Sequence, residues 1–410
     1  MAAETKPSRK LTGSALRRPG IGLTVLGGFL LLLGLGLFLI QSLAVVGSGV
    51  TLTALVLTTI STVPALAVVA YVDRREPEPW WVLALLFVWG AVVATSLALI
   101  LEGFASEAVF ARFNHSAALV DTSQLGIEIV SLDALYDWLV TSLIAPVTEE
   151  VVKGFAVVLV FLLMPKELHT MRDGVIVGAM VGIGFGVTEA TAFIISEYPA
   201  SGENAYLSQL IPRFAVLGVN GHIIFTALFG AGVGWARESN AYGRVRKVAV
   251  VVGTFLLGLA AHSMYNAFGA YAAAAFASVA GWGPMVSVFQ LWVLSLLEVL
   301  STYGWAYVVL AYFIFRSGYR ELRVIRNELR DELPPSITPE EYSLVEAEGV
   351  WRMRRIPWLS RRESVRLVRA QNRLAFQLDE TRRDGRDLDN DAWVAERRER
   401  IEKLRASETL

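Results

Sequence analysis

The hydrophobic residues of this chain fall in long runs. About eight can be marked, near 21–43, 50–72, 79–102, 135–163, 174–196, 212–236, 247–278 and 286–315. Each meets the roughly 20 apolar residues that a helix needs to cross a bilayer. The pattern predicts an all-α polytopic membrane protein of about eight transmembrane helices. From Ser317 to Leu410 the runs stop, and the chain reads as a soluble, helical tail. Thr338-Pro339-Glu340-Glu341 has the form of a capping box with proline at the first helical position. Ser360-Arg361-Arg362-Glu363 opens a second helix, expected to run to about Asp379, and a third is expected from about Asp391 to Ala406. The chain thus divides into an N-terminus (1–20), a membrane domain (21–316, its core about 135–270) and a tail (317–410).

The polar segments between the runs alternate in basic charge. Lys6, Arg9, Lys10, Arg17 and Arg18 precede the first run, and the segment Gln41 to Gly49 has no basic residue. Arg74 and Arg75 follow the second run, whereas the third loop sets Arg112 among Glu102, Glu107, Asp121, Glu128 and Asp133. Lys166 and Arg172 come next, then a segment from Glu197 to Pro212 with none, then Arg237, Arg244, Arg246 and Lys247. By the positive-inside rule both termini are expected in the cytoplasm of a bacterial-type plasma membrane. The first run is longer than the roughly 7–15 apolar residues of a signal peptide, so a retained span is expected.

Composition agrees. Of 410 residues, 54% are hydrophobic and 18% charged, with mean hydropathy +0.49. The net charge of −1 hides a segregation, because about half the basic residues follow Arg316. There is no cysteine, which excludes disulfides, thiolate metal sites and cysteine nucleophiles. Glycines recur every fourth residue at Gly174, Gly178, Gly182 and Gly186, and again at Gly230 and Gly234. Inside spans this reads as close helix packing. Gly182-Ile183-Gly184-Phe185-Gly186 has no preceding strand and is not a dinucleotide loop. In the tail, Arg352, Arg354 and Arg355 beside Trp351 and Trp358 read first as a solvated face, with contact to anionic headgroups as the other reading. The tail carries no enzymatic motif and is expected to be dispensable for chemistry. No nucleic-acid partner is expected.

Within the fourth run stand Glu149, Glu150 and Lys153. A charge at that depth costs at least about 2.5 kcal/mol, so such groups normally face a protein interior and carry function. Glu189, His222, His262 and Asn266 stand in the three following runs, with Asn220 and Glu298 more marginal. At roughly 1.5 Å per residue, Glu150, Glu189, His222 and His262 each lie about 20–22 Å from the cytoplasmic end of their own span. Four polar residues at one level are expected to line one cavity. Paired carboxylates with histidine can activate water by general-base chemistry. They equally form a plausible zinc set. Adjacent helical positions point about 100° apart, so Glu149 and Glu150 cannot play one role. Lys153 is within reach of both.

These residues resemble those of the PrsW-type intramembrane proteases, in a larger group with the CAAX prenyl endopeptidases. The likeness is carried by Glu149-Glu150-x-x-Lys153, Phe185-x-x-x-Glu189, His222 and His262-x-x-x-Asn266, with Asp73-Arg74-Arg75-Glu76-Pro77-Glu78-Pro79 leading into Trp80-Trp81. It covers about residues 60–315. Ala190 departs from it, since that branch often has Asn after the glutamate. The resemblance implies an endopeptidase, glutamic or metal-dependent, that hydrolyses a peptide bond in a membrane-anchored protein such as an anti-sigma factor. It implies Glu149 as the water-activating carboxylate, Glu150 as its partner, and His262 with Asn266 as oxyanion donors. Glu189 and His222 complete the catalytic set, with Lys153 and Phe185 in support. No cofactor is required on this reading. If a zinc ion is used, Glu149, Glu189, His222 and His262 are the expected ligands. The rival readings are a proton- or ion-coupled transporter and a non-catalytic membrane scaffold; no inverted repeat relates the two halves of the run pattern.

Overall fold

The computed structural model describes residues 46–117, 132–164, 168, 170–239, 242–283, 287–332 and 334–408. The expected first span and basic N-terminus lie outside the described residues. Among the described residues the elements are helical, apart from one isolated bridge between Gly349 and Arg352.

Helix α1 is Val46–Val72 and α2 is Trp80–Arg112. Helix α3 (Leu132–Leu139) passes through a π-helical turn, Val140–Ile144, into α4 (Ala145–Leu163). Pro146 lies in the first turn of α4 and has no N–H to donate, so a carbonyl of the wider turn before it is left without a helical partner. Then come α5 (Met171–Ser201), α6 (Asn204–Phe214), α7 (Gly221–Glu238), α8 (Arg244–Val279), α9 (Val288–Thr302) and α10 (Gly304–Arg330). The tail holds α11 (Pro339–Glu346), α12 (Arg361–Arg383) and α13 (Ala392–Glu408), and both expected capping boxes are formed.

Helices α1, α2, α5 and α8 are long and apolar enough to cross a membrane, and the α9–α10 pair, bent by 69°, makes a fifth candidate. In two places the chain departs from the uninterrupted spans expected from its runs. The run near 212–236 is broken, with α6 ending at Phe214 and α7 starting at Gly221. Leu217 and Gly218 have φ of 50° and 70°, Gly218 lies where a Cβ would meet the Ser61 carbonyl at 2.3 Å, and Asn220 caps α7. His222 therefore stands in the first turn of a helix, about 24 Å from that helix's far end at Glu238. The run near 286–315 bends at Tyr303, and α10 continues through residue 316 to Arg330, so no helix end marks the expected start of the tail.

Helix α5 is the centre of the bundle. In its most apolar window 89% of residues are buried within the protein, against 22% for α8, whose flank is left to lipid. The glycine stripe explains how α5 and α7 come together. A Cβ at Gly174 would lie 2.0 Å from the Gly230 carbonyl oxygen, and one at Gly178 or Gly182 would lie 2.3 Å from that of Thr226 or His222. Only glycine permits that approach.

The tail is docked on the membrane helices. Arg75, 1% exposed, pairs with Glu348 at 3.1 Å and donates to the carbonyls of Gly349 and Val350 at 2.7 and 2.9 Å. Glu321 pairs with Arg172 at 2.5 Å. Ending the chain after Gly318 would leave Arg75 and Arg172 without their carboxylates, and breaking a buried pair costs about 3–5 kcal/mol. The expectation of a dispensable tail therefore does not extend to folding.

Asp73 and Glu76 line a small cavity beneath the tail's Phe376. Burial raises the Asp73 pKa to about 7 and that of Glu76 to about 8. The docked state thus binds more protons than the free one, so docking is favoured below about pH 4 and this contribution is lost as pH rises to about 8. Hydrogen exchange in α12, corrected for intrinsic rates, is expected to be slower at about pH 6 than at about pH 8.5. The reverse order would contradict this account of the cavity.

Candidate active site

The six expected catalytic residues meet around one cavity of about 600 Å3. Glu149, Glu189, His222, His262 and Asn266 line it, as does Phe185. Glu150 and Lys153 stand behind this wall, 4% and 0% exposed. The carboxylates of α4 therefore face different ways: Glu149 borders the cavity and Glu150 faces the protein.

Lys153 orders the cluster. Its Nζ lies 2.6 Å from Glu150 Oε1, 3.3 Å from Glu149 Oε2 and 2.9 Å from His222 Nδ1. An ammonium has three N–H donors and no acceptor, so its donors match these three neighbours. The ring of Phe185 lies 4.2 Å from the same Nζ.

That donor count fixes the tautomer of His222. His222 Nδ1 must accept from Lys153, so its proton is on Nε2, which donates to Glu189 Oε2 at 2.6 Å. His262 Nδ1 donates to Glu150 Oε1 at 3.0 Å, and its Nε2 is turned toward Glu149 Oε2 at 3.8 Å. Thr226 donates to the other Glu150 oxygen at 3.4 Å. Both oxygens of Glu150 thus have protein partners. Asn266 Nδ2 donates to the Thr141 carbonyl at 2.9 Å, inside the π-helical turn that precedes α4.

Local structure holds these groups in place. Asn220 Oδ1 accepts from Ile223 N at 3.1 Å, which fixes the start of α7 and with it His222. Phe225 stacks on His262 at a centroid distance of 4.9 Å. Phe225, Thr226 and Tyr303, which lines the cavity, were not singled out from the sequence. Thr226 was findable, being one turn after His222. Phe225 and Tyr303 carry no such signal among the many aromatic residues of the spans. Glu298 does not line the cavity, and its Oε1 lies instead 2.4 Å from where a Cβ on Gly269 would be.

Residues 78–297 match the model of the PrsW family intramembrane metalloprotease. The chain belongs to this family. It is an intramembrane protease, acting on protein substrates embedded in the membrane. A curated relative, Protease PrsW of Oceanobacillus iheyensis, is 22% identical over 205 residues, covering 50% of this chain and 78% of that protein. No solved structure matches the chain. The matched segment contains the cavity wall except Tyr303 and stops short of the tail.

Glu149, Glu150, His222 and His262 can each offer a ligand atom within 4.8 Å of one another. This group differs from the expected zinc set in holding Glu150 in place of Glu189. Glu189 is drawn to the far side of the His222 ring, on Nε2.

Proposed function

We propose that Glu149 is the general base that activates water for peptide hydrolysis. The observation that carries this is the unequal placement of the two carboxylates: Glu149 lines the cavity, while Glu150 is held by Lys153, His262 and Thr226. A general base must reach water, and the bound carboxylate cannot do so without losing its partners. Glu150 acts as the fixed counter-charge that orients Lys153 and His262. Lys153 orients Glu149 through its Oε2, and His222, held between Lys153 and Glu189, packs beside that carboxylate and tunes its surroundings. The Asn266 amide has a second N–H beside the one given to Thr141, and that N–H donates to the oxyanion. His262, with its Nδ1 proton given to Glu150, presents Nε2 to the cavity as an acceptor for water. Asn266 is therefore the principal oxyanion donor, in place of the His262–Asn266 pair.

The family's description includes a metal, and the four-residue group has suitable donors. The Lys153 ammonium, however, stands among those same donor atoms. It is 2.6, 3.3 and 2.9 Å from atoms of Glu150, Glu149 and His222. A zinc ion needs them at about 2.0–2.2 Å and would be pressed against a buried positive charge. The donor set with Lys153 in place does not fit zinc, and we assign no step to a metal.

The substrate class proposed is a single-span or otherwise membrane-anchored protein, of which an anti-sigma factor is one example. The membrane proposed is the plasma membrane, with eight spans and both termini cytoplasmic, on the strength of the alternating basic loops. Reporter fusions after Asn204 and after Gly281 are expected to read outside, and a cytoplasmic reading at either would overturn the map. The catalytic assignment is tested by cleavage of tagged membrane-anchored candidates in cells. Glu149→Gln is expected to abolish cleavage at normal membrane levels. Asn266→Ala is expected to retain a residue of it, about 100- to 1000-fold below the native rate. Full cleavage by Glu149→Gln would refute the assignment.

A further inference from the structure

The tail carries a basic and aromatic edge that the catalytic site does not use. Between Val350 and Arg362 there is no acidic residue. Trp351 and Trp358 are 53% and 58% exposed. Arg352, Arg355, Arg361 and Arg362 are exposed too, and among the described residues their guanidinium groups have no ion-pair or hydrogen-bond partner. Arg354 is different. It is buried and bound to Glu348, Asn372 and Gln371 at 2.9, 2.9 and 3.0 Å, so it belongs to the tail's interior. The sequence alone could not separate it from its exposed neighbours.

The position of this edge is fixed by contacts to two membrane helices. Tyr71, in the last turn of α1, donates to the Trp351 carbonyl at 2.5 Å, and Arg74 donates to that of Val350 at 3.0 Å. The Trp351 ring lies 6.0 Å from that of Phe315 on α10. Phe315 is one of an exposed strip along α10, Tyr312, Phe315, Tyr319 and Arg323, at spacings of three and four residues. Such a strip passes from aromatic to basic as the helix leaves the apolar layer, which is where Trp and Tyr gather at membrane interfaces. Trp351 continues that strip onto the tail, and unpaired arginines follow it.

We propose that this edge, from Trp351 to Arg362 with Tyr319 and Arg323, binds the headgroups of anionic phospholipids in the adjacent leaflet. The occupant is a lipid because the edge is continuous with a lipid-facing helix flank, and because its charge is of one sign. An isolated solvated face would have no reason to expose two tryptophans, one of them against Phe315. The lipid would fasten to the membrane the same segment that neighbours Arg75, and so steady the tail on its docking loop.

The test uses the purified full-length protein and dioleoylphosphatidylglycerol as probe, with dioleoylphosphatidylcholine as the neutral control. Native mass spectrometry counts retained lipids, and quenching of tryptophan emission by brominated phosphatidylglycerol reports contact. Native protein is expected to retain the anionic lipid in preference, less so at high salt. Arg352→Gln, Arg355→Gln, Arg361→Gln and Arg362→Gln are each expected to weaken that binding roughly fivefold. Trp351→Phe with Trp358→Phe is expected to remove the quenching that is specific to the anionic lipid. Hydrogen exchange in α12 verifies that each variant keeps the tail folded. If one arginine variant does not fold, the remaining single variants decide. Equal retention of anionic and neutral lipid by the native protein, or unchanged retention in folded arginine variants, would overturn the proposal.

Discussion

A fully buried lysine side chain sets the layout of the membrane core. Lys153 meets Glu150, His222 and Glu149 within 3.3 Å and is 0% exposed. Two carboxylates on adjacent residues of an apolar helix are tolerable only if positive charge is supplied beside them, because desolvation costs several kcal/mol per ion. The three donors of the ammonium then dictate everything around it. They fix the proton of His222 on Nε2, which points it at Glu189. They leave Glu150 to anchor His262. They hold Glu149 at the cavity wall by its Oε2. The inequality between two neighbouring glutamates, which the proposed chemistry requires, follows from this one cation.

The backbone has to bring α5 and α7 unusually close for that cluster to form. Gly174, Gly178 and Gly182 on α5 face the α7 carbonyls of Gly230, Thr226 and His222 with no room for a Cβ. The break before α7 has a related effect. By starting that helix at Gly221, with Asn220 as its cap, the chain turns His222 into the layer where Glu149 and Glu189 lie. The π-helical turn before α4 places the Thr141 carbonyl against Asn266. Regular spans through both interruptions would not give these contacts.

The polar cluster was legible because charge in an apolar run is costly, and cost makes a signal. Glu149, Glu150, Lys153, Glu189, His222, His262 and Asn266 all announced themselves this way, and all adjoin the cavity or its wall. The glycine stripe was legible for the same reason of exclusion, since small residues at spacing four serve close packing. The interruptions were not, because hydropathy averages over a window and sees no break between Phe214 and Gly221. Gly218 and Asn220 were the available signs, a residue suited to positive φ and a capping side chain, and the apolar residues around them masked both. The docking of the tail was also hidden. Arg75 looks like a loop cation in the sequence, and only its partners Glu348 and Gly349, far along the chain, show that it is buried. The solvated reading of Arg354 fails for the same reason.

The central claim is that the Lys153 ammonium, not a metal ion, supplies the positive charge of this site. The most direct measurement is the metal content of purified protein that cleaves a membrane-anchored substrate, with activity assayed before and after exhaustive chelation. The account predicts far less than one bound zinc per chain and cleavage unchanged by chelation. Zinc bound one per chain, removed together with activity and restored with it, would contradict the account.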